Sequence, residues 1–117
     1  MLKSVIQIFK ALGYSLDGFR TILKERAFSQ ELLLIILLSP IFFIFSFFYL
    51  ELIFMIFSLI VILIVEVINS SIETIVDRIS TEKNPLSKKA KDLGSLAVFL
   101  SFVNFIATWG IILYGKF

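Results

Sequence analysis

Long apolar stretches alternate with short charged segments along the chain. Residues 32–50 carry no charged side chain, and residues 52–79 and 93–114 are apolar over most of their length. A helix of about 20 apolar residues crosses the hydrocarbon core of a bilayer. The pattern therefore predicts an all-α integral membrane protein with three spanning helices. Pro40 lies inside the first stretch and predicts a kink there.

The segments outside these stretches are charged. In residues 1–31 apolar side chains recur every three or four positions, but the eight charges of this segment exclude a spanning helix. We interpret it as an amphipathic helix and hinge at the cytoplasmic membrane surface, interrupted at Gly13. Residues 80–92 are predicted to form a polar cytoplasmic loop, with a helix starting near Leu86. Together these segments make residues 1–117 a single membrane domain.

The composition narrows the class and the chemistry. Apolar residues make up 59% of the chain and the mean hydropathy is +1.02, which excludes a soluble domain of this size. There is no cysteine and no histidine. Any general base must therefore be a carboxylate or a lysine, and any metal must be a hard cation on oxygen ligands. The net charge of only +2 gives no reason to expect a nucleic-acid partner.

The distribution of Lys and Arg predicts the orientation. Five lie in the first 26 residues and five in residues 78–91, whereas the connection between the first two spans has none and the C-terminus has only Lys116. By the positive-inside rule the N-terminus and residues 78–92 are cytoplasmic, and the C-terminus lies outside.

Polar residues break the apolar pattern near the end of the second span. At 100° per residue, they fall within an arc of roughly 100° on one helix face. A charge in a membrane helix costs about 3 kcal/mol, so these residues indicate function or pairing. This polar stripe consists of Glu66, Asn69, Ser70, Glu73 and Asp77. A second stripe on the third span is made of small and weakly polar residues, and it predicts close helix packing: Gly94, Ala97, Ser101, Asn104 and Thr108.

The charged residues at the cytoplasmic edge suit phosphoryl transfer. Glu73, together with Glu25 or Glu31, could bind a magnesium ion that also takes phosphate oxygens. Lys91 could neutralise a phosphoryl group in transfer. Glu66 lies about 10 Å deeper along the helix, where a carboxylate could act as general base on a lipid hydroxyl.

The residues alone leave alternatives open. Glu66 could be a protonated side chain that only packs helices, and Glu73 and Asp77 could be partners of Arg78 and Lys91. There is no glycine-rich phosphate loop. A membrane phosphotransferase and a small proton-coupled transport subunit are both compatible with these residues.

Two strings resemble a known family. They are Glu66-Val-Ile-Asn69-Ser-Ser-Ile-Glu73, continuing to Asp77-Arg78-Ile79, and Ala90-Lys91-Asp92-Leu-Gly94-Ser95. Together with Glu25-Arg-Ala27-Phe28-Ser-Gln30-Glu31, they resemble the small bacterial integral-membrane diacylglycerol kinases over nearly the whole chain. The resemblance implies a homotrimer of three-span protomers with an N-terminal surface helix, in the bacterial cytoplasmic (inner) membrane. It also implies ATP and Mg²⁺ as co-substrate and cofactor, membrane lipids as surroundings, and a role in phospholipid recycling.

Residue roles follow from the same resemblance. Glu66 would be the general base, and Glu25 and Glu73 would hold magnesium. The ATP site would comprise Tyr14, Glu25, Glu73, Asp77, Glu82, Lys83, Asn84, Lys91 and Asp92. The lipid site would comprise Ala27, Phe28, Gln30, Glu31, Glu66, Asn69 and Ser95. Sites in this family are shared between neighbouring protomers.

A sister branch of the family phosphorylates undecaprenol and shares the Glu-Asn-Glu and Ala-Lys-Asp strings. The segments Phe28–Glu31 and Asp77–Ile79, with Trp109, are more similar to the diacylglycerol branch. The resemblance therefore favours 1,2-diacylglycerol as the substrate and keeps undecaprenol as the alternative lipid alcohol.

Overall fold

Helices make up about 85% of the chain, and there are no strands. The computed structural model describes all 117 residues, in the order α1 (Leu2–Ile22), α2 (Arg26–Leu38), α3 (Ile41–Ile44), α4 (Tyr49–Ile79) and α5 (Pro85–Tyr114). Three helical segments, at 26–44, 49–79 and 85–114, are long and apolar enough to cross a membrane. The predicted all-helical class with three candidate spans is confirmed.

The first helix runs through Gly13, so the predicted interruption there is wrong. Glycine costs only about 1 kcal/mol in a helix interior, and the neighbouring residues compensate for it. The Ser15 hydroxyl also donates to the Ala11 carbonyl, 3.0 Å away, across the glycine. Ile22 is the only buried residue of α1. The assignment of α1 to the membrane surface stays a prediction.

The first candidate span is interrupted at Pro40 only in its hydrogen bonding, because Ser39 and Pro40 keep right-handed helical backbone dihedrals. Its helical segment runs from Arg26 to Ile44, so the helix begins before the predicted span over residues 32–50 and ends within it. Pro40 has no N–H to donate to the Ile36 carbonyl, and its ring hinders continuation of the helix. The Ser39 hydroxyl donates to that carbonyl at 2.7 Å and satisfies it. After α3 the backbone becomes extended at Phe45.

The other two long helices both begin before their predicted spans. Helix α4 starts at Tyr49, and Glu51 in its first turn accepts a hydrogen bond from the Phe48 N–H at 2.9 Å. Helix α5 starts at Pro85, where a missing N–H costs nothing. The Asn84 side chain caps it by accepting from the Leu86 N–H at 2.8 Å. The connection between α4 and α5 therefore comprises only residues 80–84. Residues 85–92 were predicted as part of a loop, but they are helical, in agreement with the predicted helix start near Leu86.

The core lies between α2, α4 and α5, away from the polar stripe. Met55 and Leu59 of α4 pack against Trp109 of α5. The indole N–H of Trp109 donates to the Met55 carbonyl at 3.2 Å and to the Ser58 hydroxyl at 3.1 Å. These bonds fix the register of α4 against α5. Within the second predicted stripe only Gly94 and Ser101 are buried, and Asn104 is exposed.

Candidate functional site

The polar stripe of α4 turns its first residues inward, as its helical spacing predicts. Glu66, Asn69 and Ser70 are buried, with 6%, 8% and 7% of their surface exposed. Glu73 and Asp77, further along the helix, are exposed. The stripe therefore runs from a buried carboxyl group to a charged surface at the end of α4.

Glu25, at the N-cap position of α2, contacts this stripe through Ser70. The Ser70 hydroxyl lies 2.6 Å from each of the two Glu25 carboxylate oxygens. This contact joins residues 45 positions apart. Ser70 was part of the predicted stripe, but nothing in the local sequence indicated Glu25 as its partner.

Within the stripe, the side chain of Asn69 is hydrogen-bonded to Glu73, one helical turn further along α4. Its side-chain N–H donates to Glu73 Oε1 at 3.3 Å, while its Oδ1 is buried and has no hydrogen-bond partner. Asn69 was expected in the lipid site, and the contact with Glu73 also brings it to the predicted metal ligands.

A small cavity lies between α2, α4 and α5. It has a volume of about 310 Å³ and is lined by Ala27, Gln30, Glu31, Leu34, Glu66, Val98 and Phe102. The side chains of Glu31 and Glu66 both line this cavity, so two acidic groups on different helices face the same small space. Glu31 Oε2 is buried and unpartnered.

These carboxyl groups have no cationic partner. The four ion pairs of the chain are Arg20–Asp17, Lys88–Asp92, Lys91–Asp77 and Lys116–Glu51. Acidic groups thus gather in the region of Glu25, Glu31, Glu66 and Glu73 without an ion pair. A bound cation could balance their negative charge. No three acidic side chains cluster closely enough to hold a metal by themselves. Mg²⁺ takes one or two carboxylates and completes its ligands with phosphate oxygens and water, so carboxylates such as Glu25 and Glu73 have the donor chemistry that this ion prefers.

An open cleft of about 670 Å³ lies at the connection between α4 and α5. It brings together six of the residues predicted to bind ATP: Asp77, Glu82, Lys83, Asn84, Lys91 and Asp92. Lys88 also lines the cleft, although no site role was predicted for it. Lys83, Lys88 and Lys91 supply positive charge that suits polyphosphate.

Two ion pairs order the cationic side chains of this cleft. Lys91 donates to Asp77 at 2.7 Å, and Lys88 donates to Asp92 at 2.6 Å. Lys91 lies ahead of the apolar part of α5, and its hydrogen bond to Asp77 holds the ammonium group at the edge of the cleft. Because both pairs are largely exposed, they position the charges and contribute little to stability.

Three predicted site residues lie apart from these groups. Tyr14 is exposed on α1 and Ser95 is exposed on α5, and neither lines one of the four main cavities. Phe28 is buried and lines a separate cleft of about 640 Å³ between α1 and α4, which it shares with Glu25 and Ser70.

Comparison with known proteins adds independent information. The sequence model of the family described as "Prokaryotic diacylglycerol kinase" matches residues 13–113. The chain is 44% identical over 110 residues to a diacylglycerol kinase of Pseudomonas aeruginosa, covering 93% of this chain and 89% of that one. It is 38% identical over 112 residues to a diacylglycerol kinase of Escherichia coli K12 (95% and 92% covered). It is 37% identical over 109 residues to one of Helicobacter pylori strain 26695 (92% and 85% covered).

Proposed function

Since this chain belongs to the prokaryotic diacylglycerol kinase family, we propose that it phosphorylates 1,2-diacylglycerol at the expense of ATP, giving phosphatidate and ADP. The observation that carries the proposal is the arrangement along α4. A buried carboxyl group lies in a small cavity between helices, and an acidic group and a lysine-lined cleft follow toward the helix end. Such a series suits a reaction between a lipid in the membrane and a nucleotide in water.

Glu66 is the general base of the proposed reaction. It accepts the proton of the lipid hydroxyl while the hydroxyl oxygen forms a bond to the γ-phosphorus of ATP. The bond between that phosphorus and the β–γ bridging oxygen breaks, and ADP leaves. The position of Glu66 supports this role, because it lines a cavity between helices and a general base must lie within hydrogen-bond reach of the lipid hydroxyl.

Glu25 and Glu73 are the proposed magnesium ligands. When bound, the ion neutralises charge on the phosphates of ATP. Ser70 holds the Glu25 carboxylate and Asn69 holds Glu73, so the chain itself orients both groups. Glu31, the other carboxylate considered from the sequence, lines the cavity of Glu66 instead, whereas Glu25 is bound to Ser70 in the stripe, and this favours Glu25 as the partner of Glu73.

The cleft at the α4–α5 connection is the proposed ATP site. Lys91 and Asp92 would contact the phosphates, and residues 82–84 would close over the nucleotide with Tyr14. The presence of Asp77, Lys91 and Asp92 around one cleft supports this assignment.

The proposed lipid site adjoins Glu66 between α2 and α5. Ala27, Gln30 and Glu31 line the same cavity as Glu66. Phe28, Asn69 and Ser95 complete the proposed set through the family resemblance, although none of them lines this cavity.

Membrane placement and assembly are part of the same proposal. The N-terminus and the ATP cleft face the cytoplasm in the bacterial inner membrane, α1 lies on the membrane surface, and the C-terminus is outside. Three chains assemble and share sites. No main cavity of the single chain contains both Glu66 and Lys91, which supports contributions from a neighbouring protomer.

A phosphoryl-transfer assay tests this function. The purified chain in mixed micelles receives ATP labelled at the γ-phosphate, Mg²⁺ and 1,2-diacylglycerol. We expect label in phosphatidate and none when Mg²⁺ is chelated. Absence of label from every lipid, together with proton flux in liposomes, would contradict the kinase and favour the proton-coupled transport subunit.

A further inference from the structure

Asn69 occupies an unusual position between two helices. Its side chain is buried, 8% exposed, yet Nδ2 has Glu73 as its only hydrogen-bond partner and Oδ1 has none. A buried acceptor without a partner has a cost in stability, because it has lost its hydrogen bonds to water. Turning the amide over would not relieve this cost, because Oδ1 would then face a carboxylate oxygen. Contact with Glu73 therefore selects the observed orientation.

Gly94 of α5 makes the space for this side chain. It is buried, and a Cβ atom built on it would overlap Asn69 Oδ1. Its backbone has no positive φ, so the glycine is not required by the local conformation. The requirement is instead the close approach of α5 to the Asn69 amide.

We propose that Gly94 and Asn69 are positioning residues for the Glu73 carboxylate: the missing side chain at Gly94 lets the Asn69 amide hold Glu73 where a divalent cation binds. This inference rests on the proposed function, since it needs Glu73 to be a metal ligand. It differs from the lipid contact expected of Asn69 because the hydrogen bond goes to a carboxylate.

The contact has a chemical consequence. A hydrogen bond to a ligating carboxylate orients it, and loss of such a partner typically costs 10–100-fold in metal affinity or activity. A methyl group at position 94 would displace the amide, so Gly94→Ala should act on the metal without altering any ligand. Asn69→Ala removes the same hydrogen bond directly.

Two measurements test the proposal on Gly94→Ala, Asn69→Ala and the double variant. The first is the Mg²⁺ concentration that gives half-maximal lipid phosphorylation. The second is the dissociation constant of Mn²⁺, measured by electron paramagnetic resonance with a non-hydrolysable ATP analogue bound. We expect both to rise about tenfold or more in each single variant. The double variant should be no worse than Asn69→Ala, because both changes remove one contact.

Gly110→Ala is the matched control. Gly110 lies on the same helix, and a Cβ atom there would meet nothing within 4 Å. This variant should therefore leave the Mg²⁺ requirement and the Mn²⁺ affinity at the level of the native chain. If Gly94→Ala folds poorly, the double variant removes the overlap while still testing the metal.

Two results would overturn the proposal. One is native Mn²⁺ affinity in Asn69→Ala, and the other is a lower melting temperature in Gly94→Ala with an unchanged Mg²⁺ requirement. Failure of the proposed function is a distinct outcome, since the native chain would then transfer no phosphate to lipid.

Discussion

The Glu66 side chain is 6% exposed on α4, and its polar surroundings are carboxyl groups rather than cations. A side chain kept only for helix packing would be expected to bond to a donor on another helix. Glu66 instead lines a cavity that it shares with Glu31. This position is compatible with the proposed general base for a lipid hydroxyl.

Replacement of Glu66 by Gln tests its role. Gln preserves volume and hydrogen-bonding capacity but cannot accept the proton. We expect kcat to fall by about 10²–10⁴-fold while ATP binding is retained. Steady-state kinetics and a nucleotide-binding titration measure the two effects. Near-normal kcat together with easier unfolding would show that Glu66 serves packing alone.

The metal ligands give a second prediction at this scale. Glu25→Gln and Glu73→Gln each remove the charge of a hard oxygen ligand, so both should lose most activity and need more Mg²⁺. A magnesium titration of the initial rate measures this. Glu82→Gln, on the exposed connection, is the control for loss of an acidic side chain in the ATP cleft and should keep the native Mg²⁺ requirement. If both titrations matched the native one, Glu31 would become the candidate ligand.

At the scale of elements, the pairing of α4 with α5 depends on Trp109. Its indole N–H bonds across to Met55 and Ser58, and Phe42 packs edge-on against its ring at 5.4 Å. Helix association in membranes depends on such packing and on interhelical hydrogen bonds. This contact lies on α4 well away from the carboxyl groups, so it can be changed separately.

Trp109→Phe should therefore reduce stability without abolishing chemistry. The loss of the indole donor costs about 1 kcal/mol, and the smaller ring adds to it. Thermal unfolding in micelles should show a lower midpoint, with a smaller decrease for Ser58→Ala because the Met55 carbonyl would still accept. An unchanged unfolding midpoint for Trp109→Phe would show that the indole hydrogen bonds do not stabilise the pairing of α4 with α5.

Particular elements show how far the sequence could predict the structure. The inward face of Glu66, Asn69 and Ser70 followed from helical spacing, because 3.6 residues per turn fixes which side chains share a face. The irregularity at Pro40 was also predictable, because proline lacks the N–H that a helix interior needs. The continuity of α1 at Gly13 was not, because it depends on local hydrogen bonds that hydropathy does not contain.

The candidate site divides in the same way. The family resemblance implied the residues of the ATP cleft, and the six that line it lie close together in space because all of them fall within positions 77–92. The contacts of Ser70 with Glu25 and of Gly94 with Asn69 depend on how separate helices are aligned. That alignment comes from packing, for which a single sequence has no direct signal.

At the scale of the whole molecule, the chain buries few of its residues. Only 14 of 117 are buried, although 59% are apolar. The long helices therefore present most of their apolar surface outward, to lipid or to other copies. Contributions from neighbouring protomers to each site are compatible with this shape and with the separation of Glu66 from Lys91.

Mixing two inactive variants tests site sharing. Glu66→Gln disables the base and Lys91→Met weakens the nucleotide cleft, so neither homotrimer should be active. If the base of one protomer works with the cleft of the next, co-reconstitution should restore part of the native activity. Glu66→Gln mixed with Glu73→Gln is the control, because both residues lie on α4 in the same carboxyl cluster. Absence of rescue at any ratio would indicate that each chain builds its own site.

The identity of the lipid acceptor is the central claim, and direct competition tests it. The purified chain is given γ-labelled ATP, Mg²⁺ and equal amounts of 1,2-diacylglycerol and undecaprenol in the same micelles, with Glu66→Gln as the inactive control. We predict that the label appears mainly in phosphatidate and that the variant labels neither lipid. Label found mainly in undecaprenyl phosphate would contradict the account and assign the chain to the sister branch.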